Sequence, residues 1–534
     1  MEFGKKDLAV AALPLLIAGA VVYSLVRQPE CLDPPTAECS SSPRCLFSAA
    51  LQDAGAINKG VIRNVALARV ARVQVDAGYM AEALETVNHV RDATERAIAN
   101  SANEGESAAV NDKHWRDGTL TELAGILAKA GDLPGARELF GLVSSRPASV
   151  LSAVAVEQIK AGDIAGARRT LHSIADKAYR ESVLYDIALA ESTSGDAAAA
   201  LEAARTITRG HLRDEVLLSV VHAQLRAGDI AAALQTAERI GQKYSRRRDN
   251  AYAAIIAARA RAGEMSKAFA LLDKVETRFP RSQSLEDIAI AQARRGRIAA
   301  ALRTVGRSRS DIALREIVAA QLKNGDHAGA LATARSLYRG ASRSLALLDI
   351  AAVQARAGDS PAFRSTIAEA LEAARTVLFL DERARAFGSV AHALAQAGDE
   401  SGARDMFALA IDTARRADPT DARAEVQDKW AGRQVKALEA IAGRQAESGF
   451  DTAARSTMAE AVETTRNIRT DSERIAILTQ LAEAQAEIGD EEAAIASFGR
   501  AVKVSLCHSD RFERVGYLAA LAADLAKSSF HRRR

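Results

Sequence analysis

The apolar positions of this chain follow a helical spacing that is interrupted by a glycine and then resumes. Leu217, Val220, Val221 and Gln224 lie three, one and three positions apart, which places them on one side of a 3.6-residue helix. The stripe ends just before Gly228, and a second stripe begins after it. The pattern predicts a first helix, a tight turn and a second helix that packs back on the first.

Each residue of the turn has a physical reason to be there. Gly228 stands where a helix end needs a left-handed residue, a conformation that glycine adopts without a steric penalty. Asp229 follows as the N-cap, where its carboxylate accepts from unpaired amides and faces the positive helix end. Ala233 lies five residues after the glycine, so its small side chain lets the two helices approach closely.

The same unit returns about a dozen times along the chain. Eleven of the twelve turn glycines are followed five residues later by alanine, the exception being Phe363. The glycines are Gly78, Gly131, Gly162, Gly195, Gly228, Gly263, Gly296, Gly325, Gly358, Gly398, Gly449 and Gly489. One such unit cannot bury its own apolar faces, whereas a stack of them can.

These residues resemble the tetratricopeptide repeat, a helical hairpin of about 34 residues. In this sequence the pattern is Leu217, the large–small pair at 220–221, Gly228 and Ala233, and it recurs over residues 46–529. The chain departs from the family in having mostly aliphatic residues where aromatic ones are usual, and in lacking most of the closing prolines. The resemblance implies a right-handed superhelix whose concave face binds peptides or proteins.

The predicted fold class is all-α: a right-handed α-solenoid of about twelve such hairpins, preceded by an N-terminal hydrophobic helix. The expected divisions are a short segment 1–7, an apolar stretch 8–26, a linker 27–45 rich in cysteine, proline and serine, the solenoid 46–529, and a basic tail 530–534. Phe47 to Ile57 is predicted to be a lone second helix that starts the stack. Arg511 to Lys527 is predicted to be a first helix that caps its other end.

Residues 8–26 form 19 positions without a charge, flanked by Lys5, Lys6 and Arg27, which is just long enough to span a bilayer. We interpret them as a signal anchor that leaves the repeats on the periplasmic side of a bacterial inner membrane. The alternative is a cleaved signal peptide, since Ala18-Gly19-Ala20 resembles a cleavage site, and the repeats would then be periplasmic or secreted.

Three of the four cysteines, Cys31, Cys39 and Cys45, crowd the linker and are candidates for one disulfide in an oxidising compartment. The alternative is that all the cysteines are inert thiols. Cys507 is hundreds of residues away and is expected to stay apart from the other three.

The remaining chemistry argues against catalysis. Lys and Arg exceed Asp and Glu by only three charges, too few to indicate nucleic acid or an acidic membrane surface as partner. No phosphate-binding loop, zinc-protease or nucleophile motif occurs, and no two of the nine histidines share a ligand spacing. We therefore expect that the protein is not an enzyme and that it binds neither a metal nor a cofactor. Pentatricopeptide-type RNA reading is ranked lower because the glycine spacing varies from 29 to 53 residues.

Candidate partner-binding positions follow from the register of the first helices. Positions ten and six before the turn glycines give an expected groove of Tyr185, Leu189, Leu218, His222, Glu286, Arg315 and His392. Positions two before the glycines give a basic series, Lys129, Lys160, Arg226, Arg261, Arg294, Lys323 and Arg356, which then changes to Gln396, Glu447 and Glu487. One interpretation is that the series orients an elongated ligand. The other is that the cations only stabilise the helix C-termini, where the helix dipole favours positive charge.

These observations favour a non-catalytic scaffold or adaptor that holds other proteins at the bacterial cell envelope. The alternative is an exported, soluble co-chaperone or assembly factor. An enzyme or an RNA reader within the array ranks below both. The identity of the partner does not follow from the fold.

Overall fold

The computed structural model describes residues 42–57, 60–101, 118–127, 135–136, 138–139, 147–241, 245–416 and 424–527. Within these ranges the chain is helical and contains no strand. The predicted hydrophobic helix over 8–26 lies outside them, as do Lys129 and Gly131. None of the described helices is apolar over a length that would let it cross a membrane.

The described residues divide into two compact units, one formed by those within 120–420 and 433–457 and the other by those within 1–119, 421–432 and 458–534. The helices that lie wholly in the first unit are α4 (Pro147–Lys160), α5 (Ile164–His172), α6 (Lys177–Ser194), α7 (Ala197–Thr206), α8 (Gly210–Arg226), α9 (Ile230–Glu238), α10 (Ser245–Ala262), α11 (Met265–Leu271), α12 (Arg278–Arg294), α13 (Ile298–Ser308), α14 (Asp311–Lys323), α15 (His327–Arg335), α16 (Gly340–Arg356), α17 (Ser360–Arg375), α18 (Leu380–Gln396) and α19 (Glu400–Arg415).

The second unit contains α1 (Pro43–Gly55), α2 (Gly60–Asp76), α3 (Met80–Ser101), α22 (Asp471–Glu487), α23 (Glu491–Leu506) and α24 (Arg511–Lys527). The helices α20 (Ala424–Glu447) and α21 (Asp451–Thr464) each contribute to both units.

The turn between paired helices has the predicted geometry. Gly228 has a left-handed φ of 81°, and the Asp229 carboxylate accepts from the Ala232 amide at 2.9 Å. Ala233 is fully buried between α8 and α9. From α4 to α16, each first helix packs against its own second helix and against the next first helix. The helical-repeat prediction is therefore confirmed for this part of the chain.

Carboxylates also join successive repeats, in a way that the sequence patterns did not indicate. The Asp249 carboxylate accepts from the Thr277 amide at 2.7 Å, in the segment that leads to the next first helix. Asp311 accepts from the Tyr338 amide at 2.9 Å in the same manner. The backbone donors of these connections are thus satisfied by a side chain of the preceding repeat.

The two ends of the described chain meet within the second unit. Helix α24 packs against α1 and α2. The predicted lone second helix and the predicted last first helix therefore pack together as one helix pair, although they are far apart in the sequence. The buried Asp53 carboxylate accepts from Arg514 Nε at 2.6 Å and Nη2 at 3.0 Å, and it pairs with Arg511 Nε at 3.0 Å. The expectation that residues 511–527 form a terminal cap is therefore wrong: Leu518 and its apolar neighbours are buried by α1 and α2.

Cys45, near the start of α1, and Cys507, at the end of α23, are each disulfide-bonded. Of the three candidate cysteines of the linker, Cys31 and Cys39 lie outside the described residues. The sequence predicts that Cys507 stays apart from all three, because hundreds of residues separate them. The packing of α1 on α24 removes the basis for that assumption.

Candidate binding groove

A groove of about 610 Å³ lies along three consecutive first helices of the larger unit, α8, α10 and α12. Helix α10 forms its floor, and the other two helices form its walls. Its lining positions on α10 are Arg246, Asn250, Ala253, Ala254, Ala257 and Arg261. Their spacing of four, three, one, three and four residues puts all six on one face of the helix.

The groove exists because α10 has alanine where its neighbours have larger residues. Ala253 and Ala257 lie ten and six positions before Gly263. The same two positions are Leu218 and His222 in the preceding repeat, and both of these side chains line the groove wall. A face with small side chains between two faces with large ones leaves a depression.

Three arginine side chains in this groove have no carboxylate partner. Arg226, Arg246 and Arg261 form no salt bridge with any residue that the structure describes. The next two arginines of α10 differ. Arg247 Nη2 lies 2.7 Å from Glu215, and Arg248 Nη2 lies 3.3 Å from Glu276.

Among the described residues, Arg226 and Arg261 form hydrogen bonds to backbone oxygens. Arg226 donates to the Ser192 carbonyl and Arg261 to the Ala257 carbonyl, both at 3.3 Å. Both guanidiniums are exposed, and each has further N–H donors for a ligand.

Two titratable groups of the groove have shifted pKa values. The side chain of His222 is exposed by area, yet crowding by protein atoms lowers its pKa, and Arg226 lowers it further. The half-buried Asp287 has its pKa raised by burial and by Glu286, against the effect of Arg261. Protonation of His222 is therefore disfavoured, and the positive charge of the groove comes from Arg226, Arg246 and Arg261.

The α12 wall carries an exposed aromatic ring. Phe279 is 75% exposed and lines the groove with Gln283 and Asp287. An exposed ring beside unpaired guanidiniums has the composition found at the centres of protein interfaces, which are enriched in aromatic residues and arginine.

The sequence-predicted positions are divided by the structure. Leu218, His222, Arg226 and Arg261 come together in the groove. Tyr185 and Leu189 lie on α6 and are half-buried, with Leu189 packed against the apolar core. Partial burial and the charge of Glu215 raise the pKa of Tyr185.

Two other members of the predicted basic series pair with carboxylates of the protein. Arg294 Nη2 lies 2.9 Å from Glu316, and Lys160 Nζ lies 2.7 Å from Glu157. Arg356 donates to the Ala352 carbonyl of its own helix at 3.1 Å. Lys323 lies exposed in the last turn of α14.

The remaining candidates lie away from the groove. Arg315 Nη2 is 3.5 Å from Asp349, and Glu286 accepts from the Ser310 hydroxyl. His392 on α18 contacts Ser448 Oγ at 2.8 Å.

The other His392 nitrogen, Nε2, lies 2.9 Å from the Gln396 amide. Partial burial and Arg444 lower the histidine pKa. Glu447 pairs with Arg444 at 2.7 Å, and Glu487 is exposed in the second unit.

Sequence reasoning missed the floor of the groove. It selected large and polar residues at positions ten and six before each glycine, and so passed over Ala253 and Ala257. The signal was the coincidence of alanine at both positions in one repeat, flanked by arginine at positions seventeen and two before the glycine. Phe279 was missed because it also lies seventeen positions before its glycine, outside the register considered.

No cluster of three or more histidine, cysteine, aspartate or glutamate side chains suited to a metal ion occurs within the described residues. The groove holds a single histidine and a single carboxylate among its lining residues, together with arginine, amide and apolar groups. These groups provide hydrogen-bond donors and positive charge for binding.

Comparison with known proteins gave structural likenesses of low score. No family model matches the chain, and no curated protein matches it. The solved structure of Naa15/Naa10 bound to HypK-THB is 13% identical, with 82% of this chain and 68% of that chain covered and a TM-score of 0.33. The pentatricopeptide repeat protein PPR10 from maize is 15% identical, with 83% and 74% covered and a TM-score of 0.34.

The APC/C hetero-tetramer Cut9-Hcn1 is 13% identical, with 82% of this chain and 95% of that chain covered and a TM-score of 0.20. Scores of this size carry no functional argument. The assignment of a helical repeat therefore rests on the stacked hairpins themselves.

Proposed function

We propose that this chain is a non-catalytic scaffold of tetratricopeptide-like repeats that binds a segment of a partner protein in the groove formed by α8, α10 and α12. The observation that carries the proposal is the alanine floor of α10, which has Arg246 and Arg261 at its two ends, Arg226 on the α8 wall and the exposed Phe279 on the α12 wall. Apolar floor and unsatisfied donors together are what a protein segment needs for affinity and for orientation.

The cellular setting of the proposal is an oxidising compartment, with the repeats held at the cell envelope by residues 8–26. The disulfide bonding of Cys45 and Cys507 supports that setting, since such bonds persist outside the reducing cytosol. The alternative is an exported co-chaperone or assembly factor without an anchor. Sequencing the N-terminus of the mature protein distinguishes the two, because cleavage after Ala20 would exclude the anchor.

The groove is tested by filling it. In Ala257→Trp, a large ring at a half-buried position of the floor occupies the space intended for the ligand. The matched control is Ala319→Trp, which has the same register on α14 but lies outside the groove and is exposed. Both variants are expressed at native level, and the captured proteins are compared by quantitative mass spectrometry.

We expect a defined set of partners to be lost from Ala257→Trp and retained by Ala319→Trp. If both variants capture the same partners as the parent chain, the groove is not the binding site and the proposal is wrong. Circular dichroism and thermal unfolding check that both variants retain the helical fold.

A further inference from the structure

The charged groups of the groove are placed at its two ends. Along α10, Arg246 lies near the first turn and Arg261 in the last, with Asn250 and the alanines between them. At a rise of 1.5 Å per residue, the fifteen positions between the two arginines correspond to about 22 Å. An extended peptide covers that length with about seven residues.

Each end of the groove is suited to a carboxylate. Guanidinium groups bind carboxylates through paired, charge-assisted hydrogen bonds, which are stronger than neutral ones. Arg261 and Arg226 come from adjacent helices and line the same end, whereas Arg246 and the Asn250 amide line the other. Arg247 and Arg248, which point elsewhere, are neutralised by glutamates of the protein.

The centre of the groove is suited to small or aliphatic side chains. Ala253, Ala254 and Ala257 offer apolar surface without filling the space, and Leu218 and Leu225 border it. A run of charged residues in the ligand would lose its hydration there without gaining partners. A single-stranded nucleic acid suits the centre less well, because its bases require a series of stacking rings and the lining residues provide only the rings of Phe279 and His222.

We infer that the groove binds an extended peptide segment that carries one carboxylate near each end, about six residues apart, and small or aliphatic residues between them. This inference rests on the proposed function and adds the chemical class of the partner. The two carboxylates lie on Arg246 at one end and on the Arg226–Arg261 pair at the other, and the aliphatic residues lie on the alanine floor.

The probes are synthetic nine-residue peptides, acetylated, amidated and fluorescently labelled, whose binding to the full oxidised chain is measured by anisotropy. The first has aspartate at positions two and eight with alanine and leucine between. The second has asparagine at those two positions, and the third has its two aspartates at adjacent central positions. A twelve-nucleotide oligothymidine is the fourth probe.

We expect the first peptide to bind about tenfold or more tightly than the second and the third, since each lacks at least one end contact. The double variant Arg246→Glu/Arg261→Glu should weaken the first peptide by at least about tenfold. The control Arg303→Glu/Arg307→Glu makes the same change in net charge on exposed positions of second helix α13 and should leave binding within about twofold.

Three results would overturn the inference. The first is equal binding of all three peptides, or of none. The second is binding of the first peptide that survives the Arg246/Arg261 reversal. The third is equal or tighter binding of the oligothymidine that is lost in the same variant, which would identify a general polyanion site.

The proposed function is judged separately by partner capture with Ala257→Trp. If partners are lost in Ala257→Trp but are unaffected by the arginine reversal, the groove is the binding site but its ligand is not the two-carboxylate peptide. Partners unaffected by either change would reject both.

Discussion

A buried carboxylate joins α1 and α24, the first and last helices of the described residues, and removal of this carboxylate is the most informative stability test. Asp53 is 2% exposed and Arg514 6% exposed, and the two are joined by bonds of 2.6 and 3.0 Å. In Asp53→Ala, the Arg514 guanidinium stays buried on α24 and loses its counter-charge. Arg511 is partly exposed and can turn to water.

Removal of one partner from a buried ion pair costs about 3–5 kcal/mol, because an uncompensated charge is left in the interior. Because Cys45 near the start of α1 is disulfide-bonded, the measurement is made with the disulfides reduced. Helix α1 can then separate from α24 without unfolding of the other repeats, so the loss should appear as local opening. At 1.4 kcal/mol per factor of ten, opening of α1 should become roughly a hundred- to a few-thousandfold more frequent.

Hydrogen exchange followed by mass spectrometry measures that opening directly, with residues 43–55 and 511–527 as reporters and 245–262 as the internal control. The second variant, Asp53→Leu/Arg514→Met, replaces the pair by apolar groups and should restore most of the protection. A change below about threefold in Asp53→Ala, or equal loss in both variants, would refute the view that the ion pair holds the two ends together.

Three further predictions concern single residues. The pKa of Glu181 is lowered from 4.5 to about 2, chiefly by the Thr208 hydroxyl, so its contribution to stability is present above pH 4.5 and is lost as the pH falls toward 2; urea unfolding of Glu181→Gln should therefore approach that of the parent chain over this interval. Gly228 has a φ of 81°, and a methyl group at its Cα would meet no atom within 4 Å. Gly228→Ala should therefore lower the free energy of unfolding, measured by thermal unfolding, by about 1–2 kcal/mol from backbone strain alone. The control Gly55→Ala, at an ordinary φ, should be neutral or stabilising. Because the pKa of His222 lies below 6.5, the affinity for the two-carboxylate peptide should rise as the pH is lowered from 7.5 to 5.5, and His222→Gln should reduce that rise.

The repeat was predictable because its turn depends on local rules. Gly228 supplies a left-handed φ, Asp229 caps the next helix, and Ala233 permits close packing, and each of these roles is fixed within a few residues. Local constraints of this kind leave a periodic trace in the sequence, and the structure reproduces it along α4 to α18.

The meeting of the two ends was not predictable in the same way. Asp53 and Arg514 are 461 positions apart, and neither belongs to the repeat signature. The hydrophobic patterns of α1 and α24 each predict one helix of a repeat without its partner. The periodicity within a helix does not indicate which other helix buries its apolar face. A pair of unmatched halves, one second helix and one first helix, was the available signal.

The groove was only partly predictable. The wall residues Leu218 and His222 were predicted because large side chains at those positions can contact a ligand. The floor is formed by the small side chains of Ala253 and Ala257, which leave space but give no such signal in the sequence. Charge posed a similar difficulty. The basic series treated Arg226 and Arg294 alike, and only the structure shows that Glu316 neutralises the second.

The most direct test of the account is hydrogen exchange of the full chain, measured free and in complex with the partner that it captures from cells. The account predicts slowed exchange concentrated in residues 217–226, 246–261 and 279–287, which are the groove-forming parts of α8, α10 and α12. Slowed exchange confined to the second helices α9, α11 and α13, with those three segments unchanged, would contradict it.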